Sequence, residues 1–332
     1  MKAIQVPDYG GSDQLIPTEV PEPEPSEGEA LIKTVYAGIN FIDVYMRSGV
    51  FKDLDTYPNS PPFTPGMEGA GLVEAIGPSV EGVQVGDRVA YCLEVGSYAE
   101  YAAVPAWKLV RVPEGVPLDV AAALQLQGMT AHYLTHSLFP LAPGNSCLIH
   151  AGAGGMGQLA IQLAKSRGAQ VLVTVGSAEK AEIARAQGAD HAILYRDVDF
   201  ADAVKEITSG IGVDVVYDSV GRETIRGSLK CLKPRGVLSN NGNASGPIGA
   251  IDPLELAEAG SIFFTRPHLA DYTSTAKIRT ERSGDLYRFY LEGNLKVTID
   301  KIFSLTDAKS AHDYIEDRKS LGKLLLDVDE RS

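Results

Sequence analysis

The glycines of the segment HAGAGGMGQ, at positions 150–158, have the spacing most suggestive of chemistry. Gly152, Gly154 and Gly157 form a G-x-G-x-x-G pattern between an apolar segment and an amphipathic one. In a strand–turn–helix, such glycines permit a tight turn, let the backbone approach a pyrophosphate and allow close helix–strand packing. The helix N-terminus adds free N–H groups and a positive dipole. The pattern therefore predicts a dinucleotide-binding turn.

The end of the following strand predicts which dinucleotide binds. NAD-binding folds usually place an acidic residue about 20 residues beyond the first glycine, where it accepts a hydrogen bond from the ribose. This chain has Gly176 and Ser177 there, and Lys180 follows. Their N–H, hydroxyl and ammonium donors suit a 2′-phosphate, and Tyr195 after the third strand can add a phenol. We therefore expect NADPH rather than NADH.

The cysteines and histidines do not have the spacing of a metal site. Cys92, Cys147 and Cys231 are far apart, and the six histidines show no ligand spacing with any of them. A tetrahedral zinc site needs three or four N, S or O ligands. Without a Lewis acid to stabilise an alkoxide, the acceptor of a hydride must already be electrophilic, as quinones and enones are. We expect chemistry without a metal.

The predicted strands and helices that position these residues follow two different patterns along the chain. Segments 2–6, 29–37, 71–77, 87–92, 97–105 and 107–113 predict strands of a mostly antiparallel β domain. From residue 146 short apolar strands alternate with amphipathic helices, which predicts a doubly wound parallel sheet of right-handed βαβ units. A helix at 276–293, a strand at 297–302, a helix at 306–317 and the strand KLLLDV then return to the first domain.

The predicted class is therefore α/β with two domains. Residues 1–124 and 267–332 form the catalytic domain, and residues 125–266 form the NADPH-binding Rossmann domain. The last strand of the second domain, in SIFFTR, is short and apolar.

Charge and composition exclude several classes of partner. The 332 residues include 30 Lys plus Arg and 43 Asp plus Glu, which gives a net charge of −13. This balance argues against nucleic acid or an anionic membrane as the main partner. The N-terminus lacks an apolar targeting segment, and no stretch approaches the ~18 apolar residues of a membrane span. With three scattered cysteines, the chain fits a reducing cytoplasm.

Several segments together resemble a known family. They are AGINFIDVYMRSGVF (37–51), GMEGAG (66–71), LQGMTAHYL (126–134), VVYDSVGRET (215–224), GNASG (242–246) and FTRP (264–267). The chain resembles the NADPH:quinone oxidoreductases, the zeta-crystallin-like branch of the medium-chain dehydrogenase/reductase superfamily, over nearly its whole length. The resemblance implies a GroES-like coiled β domain beside the Rossmann domain. It also implies a homodimer, in which the strand in SIFFTR pairs with its twin across a twofold axis. Zinc-dependent members carry Cys near Asn40 and Gly-His-Glu where this chain has Gly66, Met67 and Glu68.

The resemblance also implies roles for individual residues. Asn40 and Tyr45 would line the cleft beside the nicotinamide and orient the acceptor, with no dedicated protein acid being obligatory. Thr130 would touch the cofactor, Ser219 would pack near the adenosine, and Asn241 and Phe264 would offer backbone to the carboxamide. The pyrophosphate would be held by Gly155, Met156 and Gly157, and the 2′-phosphate by Gly176, Ser177, Lys180, Tyr195 and Arg318. Phe51 stands where many members have a tyrosine, so one hydrogen bond to a quinone is lost.

Three functions remain open from the sequence. The first is a soluble NADPH:quinone reductase. The second is an NADPH-dependent reductase of enone or alkenal double bonds on the same scaffold, which also needs hydride transfer and protonation. The third is a non-catalytic NADPH-binding protein with a structural or RNA-binding role, against which the net charge of −13 argues.

Overall fold

The structure is a computed structural model that describes residues 1–54 and 60–329. The chain forms two compact units. The terminal unit comprises Met1–Met129 and Tyr272–Ser332, and the central unit comprises Thr130–Asp271. The domain limits predicted from the sequence, at 124/125 and 266/267, stay predictions.

The first part of the terminal unit is rich in strands. Its elements are β1 (Lys2–Gln5), β2 (Ile16–Glu19), β3 (Glu29–Ile39), α1 (Phe41–Arg47), β4 (Glu68–Ile76), β5 (Arg88–Cys92), β6 (Tyr101–Pro105), β7 (Val110–Arg111) and α2 (Leu118–Ala123). The helix α3 (Met129–Tyr133) leads into the central unit.

The central unit alternates strands and helices as the sequence predicts. It contains β8 (Ser146–His150), α4 (Gly155–Ser166), β9 (Gln170–Val175), α5 (Ala178–Ala186), β10 (His191–Leu194), α6 (Phe200–Ile207), β11 (Val213–Asp218), α7 (Ile225–Cys231), β12 (Leu232–Asn240), α8 (Pro253–Glu258) and β13 (Phe263–Thr265). The strands pair in parallel in the order β10-β9-β8-β11-β12-β13. The chain adds β9 and β10 on one side of β8 and then β11, β12 and β13 on its other side. This reversal creates a switch point, where ligands usually bind.

The chain then returns to the terminal unit with α9 (Ala276–Leu291), β14 (Ile299–Ser304), α10 (Ala308–Glu316) and β15 (Lys323–Asp327). The strand order is β14-β15-β3-β4-β5-β7, and β6 also pairs with β3. Only the β14–β15 pairing within this described sheet is parallel. Because β15 lies beside β3, the C-terminal strand is placed directly next to the segment that carries Asn40.

One predicted strand is wrong. Residues 107–113 were expected to be extended, but Ala106–Lys108 form a 3₁₀ turn and only Val110–Arg111 pair as a strand. The indole of Trp107 packs against two cations, the Lys108 ammonium and the Arg279 guanidinium. A turn at this position is closed by the N–H of Leu109, which donates to the carbonyl of Ala106.

The helical segment after α2 contains two wider turns. Leu124–Gly128 and Leu134–Leu138 are π-helical, on either side of α3. In the first, the N–H of Leu126 donates to Glu68 Oε1 at 2.5 Å instead of to the helix ladder. A side chain that inserts into the ladder is a common cause of such turns, which are frequent at functional sites. No helix in the described part of the chain is long and apolar enough to cross a membrane.

Candidate functional site

The glycine-rich turn follows β8 and ends at the start of α4, the position the pattern predicts. A Cβ on Gly157 would lie 2.4 Å from the carbonyl oxygen of Ala151, and one on Gly152 would lie 2.7 Å from Val173 Cβ. These two glycines therefore allow the turn to pack against the helix and β9. Gly154, Gly155 and Met156 are partly exposed. Contact of Gly155, Met156 and Gly157 with the pyrophosphate stays a prediction.

A buried polar network supports this turn from below. Both ring nitrogens of His150 are hydrogen-bonded. Nδ1 lies 2.8 Å from Thr174 Oγ1, and Nε2 lies 2.9 Å from Ser228 Oγ. Ser228 donates to Asp218 Oδ2 at 2.8 Å. Burial lowers the pKa of His150, which favours the neutral ring. The network ties together the carboxyl ends of β8, β9 and β11. No local sequence pattern predicts it.

The end of β9 carries donors and no carboxylate. Ser177 caps α5, its hydroxyl accepting from the N–H of Lys180 at 3.3 Å. A Cβ on Gly176 would lie 3.0 Å from the hydroxyl of Tyr195 and 3.5 Å from Arg196 Nε. Arg196 is exposed and was missed from the sequence, although a basic residue directly after the third strand was a usable signal. The structure thus brings Gly176, Tyr195 and Arg196 together, as a 2′-phosphate would require.

Other predicted cofactor residues lie on separate elements. Thr130 is on α3 and is partly exposed, and Ser219 follows β11. Arg318 belongs to the terminal unit, directly after α10, and has a positive φ of 58°. The N–H of Asn241 donates to the carbonyl of Asp218 at 2.8 Å. This bond leaves the carbonyl of Asn241 for other contacts, and Phe264 lies in β13. Contact of Asn241 and Phe264 with the carboxamide stays a prediction.

Asn40 is the centre of a buried polar cluster in the terminal unit. Its side chain is 2% exposed and meets three other polar side chains. Nδ2 donates to Glu68 Oε2 at 2.8 Å, and Oδ1 accepts from Lys323 Nζ at 2.8 Å and from Gln127 Nε2 at 3.1 Å. We call Asn40, Glu68, Gln127 and Lys323 the amide cluster. The sequence predicted Asn40 but not the buried Lys323.

The Glu68 side chain fits here because the residue that faces it in the neighbouring strand β3 is Gly38, which has no side chain. A Cβ on Gly38 would lie 2.0 Å from Glu68 Oε2. The carboxylate is fully buried and forms an ion pair with Lys323 at 2.5 Å. Gly38, in the segment AGIN, is thus required for the close approach of Glu68 to Asn40.

Tyr45, the second predicted catalytic residue, lies on α1 and is partly exposed. Its ring packs between two aromatic neighbours, with centroids 6.0 Å from Phe41 and 5.1 Å from Phe51. These contacts hold the ring on the helix surface. They do not assign the Tyr45 hydroxyl a role in the reaction.

A chain of hydrogen bonds runs from α1 to α10. Arg47 Nη1 donates to His312 Nδ1 at 3.1 Å, so the other ring nitrogen carries the hydrogen and donates to the hydroxyl of Tyr98 at 3.0 Å. The Tyr98 hydroxyl in turn donates to Asp43 Oδ2 at 3.4 Å. Asp43 also accepts from the N–H of Asn40 at 2.8 Å, which fixes the start of α1.

Burial controls the ionisation of this chain. It lowers the pKa of His312 to about 3 and raises the pKa of Asp43 to about 7. Lys323 lowers the pKa of Asp43 and Glu68 raises it, but both effects are smaller than that of burial. His312 is therefore neutral in the ordinary range, whereas Asp43 titrates near neutrality.

The residues at the zinc position of related dehydrogenases do not fit zinc. Asn40 and Glu68 direct their oxygens at the Lys323 ammonium, whose charge repels a cation. Burial raises the pKa of the Cys92 thiol to about 12, and its sulfur lies 3.9 Å from Arg279 Nη1, a second cation. Met67 supplies only a thioether, a poor ligand for zinc.

A separate groove lies elsewhere in the terminal unit. Its volume is about 1100 Å³, and its walls include Trp107, Tyr287 and Leu291. None of the residues predicted for the cofactor or the acceptor lines this groove. It therefore does not contribute to the candidate site.

Two family models match the chain. Residues 26–114 match the alcohol dehydrogenase GroES-like domain, and residues 155–275 match the zinc-binding dehydrogenase domain. The name of the second domain contrasts with the donor set described above, which does not suit zinc.

Several relatives match this chain over nearly its whole length. A 2-haloacrylate reductase from Burkholderia is 41% identical, over 96% of this chain and 96% of the relative. A probable quinone oxidoreductase from Schizosaccharomyces pombe is 41% identical, over 97% of this chain and 96% of the relative. The crystal structure of Escherichia coli quinone oxidoreductase complexed with NADPH has a TM-score of 0.95 at 37% identity, covering 99% of this chain and all of that one.

Proposed function

The chain belongs to the quinone oxidoreductase family of medium-chain dehydrogenase/reductases, and on that premise we propose that it reduces quinones with NADPH. When bound, NADPH supplies the hydride. The observation that carries the proposal is the amide cluster, which presents a carboxamide held by a buried ion pair in place of metal ligands. An acceptor that such a site can activate must already be electrophilic.

Asn40 is the residue that acts on the acceptor in this proposal. Its carboxamide donates an N–H to the oxygen of the quinone, on which negative charge develops as hydride arrives. Tyr45 orients the ring of the acceptor. Because a hydroquinone anion is weakly basic, water supplies the proton, and no metal takes part.

The cofactor is NADPH on chemical grounds as well as by family. Gly176, Tyr195 and Arg196 lie together where NAD-binding folds carry an acid. The guanidinium of Arg196 and the ammonium of Lys180 attract a 2′-phosphate, while the absence of a carboxylate at this position removes a repulsion. Arg318 is the third cation that we assign to this phosphate.

A second candidate function is reduction of an activated carbon–carbon double bond. The observation that favours it is the 41% identity to a 2-haloacrylate reductase over almost the full chain. An enone or a haloacrylate accepts hydride at carbon and leaves an enolate, which is more basic than a hydroquinone anion. This reaction therefore depends more on Asn40 and Tyr45.

Steady-state oxidation of NADPH against matched panels of acceptors separates the two functions. We expect kcat/KM for 1,4-benzoquinone and 1,2-naphthoquinone to exceed kcat/KM for 2-chloroacrylate and simple enals. Turnover restricted to the haloacrylate or the enals would replace the first function by the second. NADPH binding without turnover of any acceptor would overturn both.

We also infer the assembly and location of the protein. Phe263 in β13 is 65% exposed on a strand that pairs only with β12 among the described residues. Covering an apolar sheet edge with a second copy suits a homodimer. The described cysteines are free and buried, which supports a reducing cytoplasm.

A further inference from the structure

The ammonium of Lys323, the first residue of β15, is surrounded by three hydrogen-bond acceptors of the protein. Its side chain is 2% exposed, and Nζ lies 2.5 Å from Glu68 Oε2, 2.8 Å from Asn40 Oδ1 and 3.2 Å from the carbonyl of Ile39. An ammonium has three hydrogens to donate. All three have acceptors within the protein, so Lys323 acts through its neighbours rather than on a ligand.

The ammonium determines which way the Asn40 carboxamide faces. Because an ammonium cannot accept a hydrogen bond, the atom of Asn40 beside it must be the oxygen. Gln127 Nε2 donates to the same oxygen at 3.1 Å, and Nδ2 donates one hydrogen to Glu68 at 2.8 Å. Nδ2 carries a second hydrogen besides the one that it donates to Glu68.

Stability alone does not account for a buried ion pair at this position. Moving both charges out of water is costly, and replacing such a pair by uncharged groups of similar size is often neutral or stabilising. Glu68 in addition holds the π-helical turn through the N–H of Leu126. The pair thus connects β15, β4 and the π-helical turn to one side chain, Asn40.

We infer that Lys323 is a positioning residue: held by Glu68, it orients the Asn40 carboxamide so that an N–H faces the oxygen of the acceptor. The inference rests on the proposed function, because it assigns the orientation of the group that contacts the acceptor. A flipped carboxamide would instead present its oxygen, which repels the developing negative charge.

The test removes both charges together. Lys323→Met alone would leave Glu68 charged, buried and unpaired, and the protein could fail to fold. The double variant Lys323→Met/Glu68→Gln keeps the volume and a polar group beside Asn40 while removing the ammonium. We expect it to fold, with kcat for a quinone reduced about tenfold and the Kd of NADPH unchanged. Lys309→Met, on the exposed face of α10, is the control.

A mutant cycle that combines Asn40→Ala with the double variant distinguishes a positioning role of Lys323 from a structural one. If Lys323 acts through Asn40, adding the double variant to Asn40→Ala gives no further loss of kcat. Lys323→Arg, which keeps the positive charge and the donors, should recover part of the wild-type kcat. Losses that multiply in the triple variant, or a double variant as fast as wild type, would overturn the inference.

Failure of the proposed function is visible separately, because the wild-type protein would then turn over no quinone. In that event the same cycle is measured as the Kd of a quinone for the NADP⁺-loaded protein, which needs no turnover. Coupling between Lys323 and Asn40 in that Kd supports the positioning role. Independent effects on the Kd would contradict it.

Discussion

Lys180 and Arg196 bring positive charge to the carboxyl ends of two neighbouring strands, β9 and β10. We predict that Lys180→Ala and Arg196→Ala each raise the KM for NADPH and leave the KM for NADH nearly unchanged. A charge-assisted hydrogen bond contributes about 1.5–3 kcal/mol, or roughly 10- to 150-fold. Arg185→Ala, on the same helix as Lys180 and paired with Glu182, is the control. Equal losses with both cofactors would show that these residues are structural.

Tyr45 has a smaller predicted effect on turnover. A neutral phenol that only orients the acceptor contributes about 0.5–1.5 kcal/mol, whereas a positioned general acid contributes ~10²–10⁴-fold. We therefore expect Tyr45→Phe to lower kcat/KM for a quinone by no more than roughly tenfold. The loss should be larger for an enone. The measurement is kcat/KM for one quinone and one enone at saturating NADPH. A loss beyond about a thousandfold on the quinone would make Tyr45 the proton donor.

At the scale of elements, the link between α1 and α10 predicts how stability depends on pH. The pKa of Asp43 is raised to about 7, so the native state holds this proton more tightly than the unfolded chain does. The contribution of this carboxyl to the free energy of unfolding is fully present below about pH 4 and is lost as the pH rises through 7. The groups around the carboxyl are Lys323, Glu68 and Tyr98.

His312 has the opposite dependence. Its pKa is lowered to about 3, so its contribution is complete above about pH 6.5 and is lost as the pH falls towards 3. Asp43→Asn should remove the loss of stability between about pH 4 and 7, and it should leave in place the loss at acid pH that comes from His312. Melting temperatures of wild type, Asp43→Asn and the exposed control Asp8→Asn across pH 4–8 check this. The same slope in Asp43→Asn and wild type would contradict it.

Elements with a local pattern were predictable from the sequence. The parallel sheet follows from alternating apolar strands and amphipathic helices, and the turn at Gly152–Gly157 follows from glycine spacing. The error at Trp107 has a different cause, since the β-favouring residue types of this segment are outweighed by packing of the indole against two cations. Local propensity is a weak guide where tertiary contacts decide.

The amide cluster could not be predicted in the same way. Asn40 bonds to Glu68, 28 residues away, and to Lys323, 283 residues away. In the sequence Lys323 reads as a charged residue at the start of an apolar strand, where exposure is the usual outcome. Its burial depends on the pairing of β15 with β3, which no local pattern specifies. Arg196, in contrast, is predictable from the sequence, because it is a basic residue that directly follows Tyr195 at the end of its strand.

For the whole molecule, the exposed edge of the central unit predicts assembly. We expect sedimentation to show a homodimer at micromolar concentration and Phe263→Asp to shift it to a monomer, because a carboxylate on that edge opposes its twin across a twofold axis. Leu254→Asp, on an exposed helix position, tests whether α8 belongs to the same interface. A wild-type monomer at this concentration would rule the dimer out.

The central claim is that this chain reduces quinones with NADPH and without a metal. Its most direct test is turnover of 1,4-benzoquinone with NADPH after prolonged dialysis against a chelator, with metal content and melting temperature measured on the same sample. The amide cluster predicts unchanged kcat/KM, an unchanged melting temperature and no stoichiometric metal, because an ammonium already lies between Asn40 and Glu68. About one zinc per chain, with activity lost on dialysis and restored by zinc, would contradict the account.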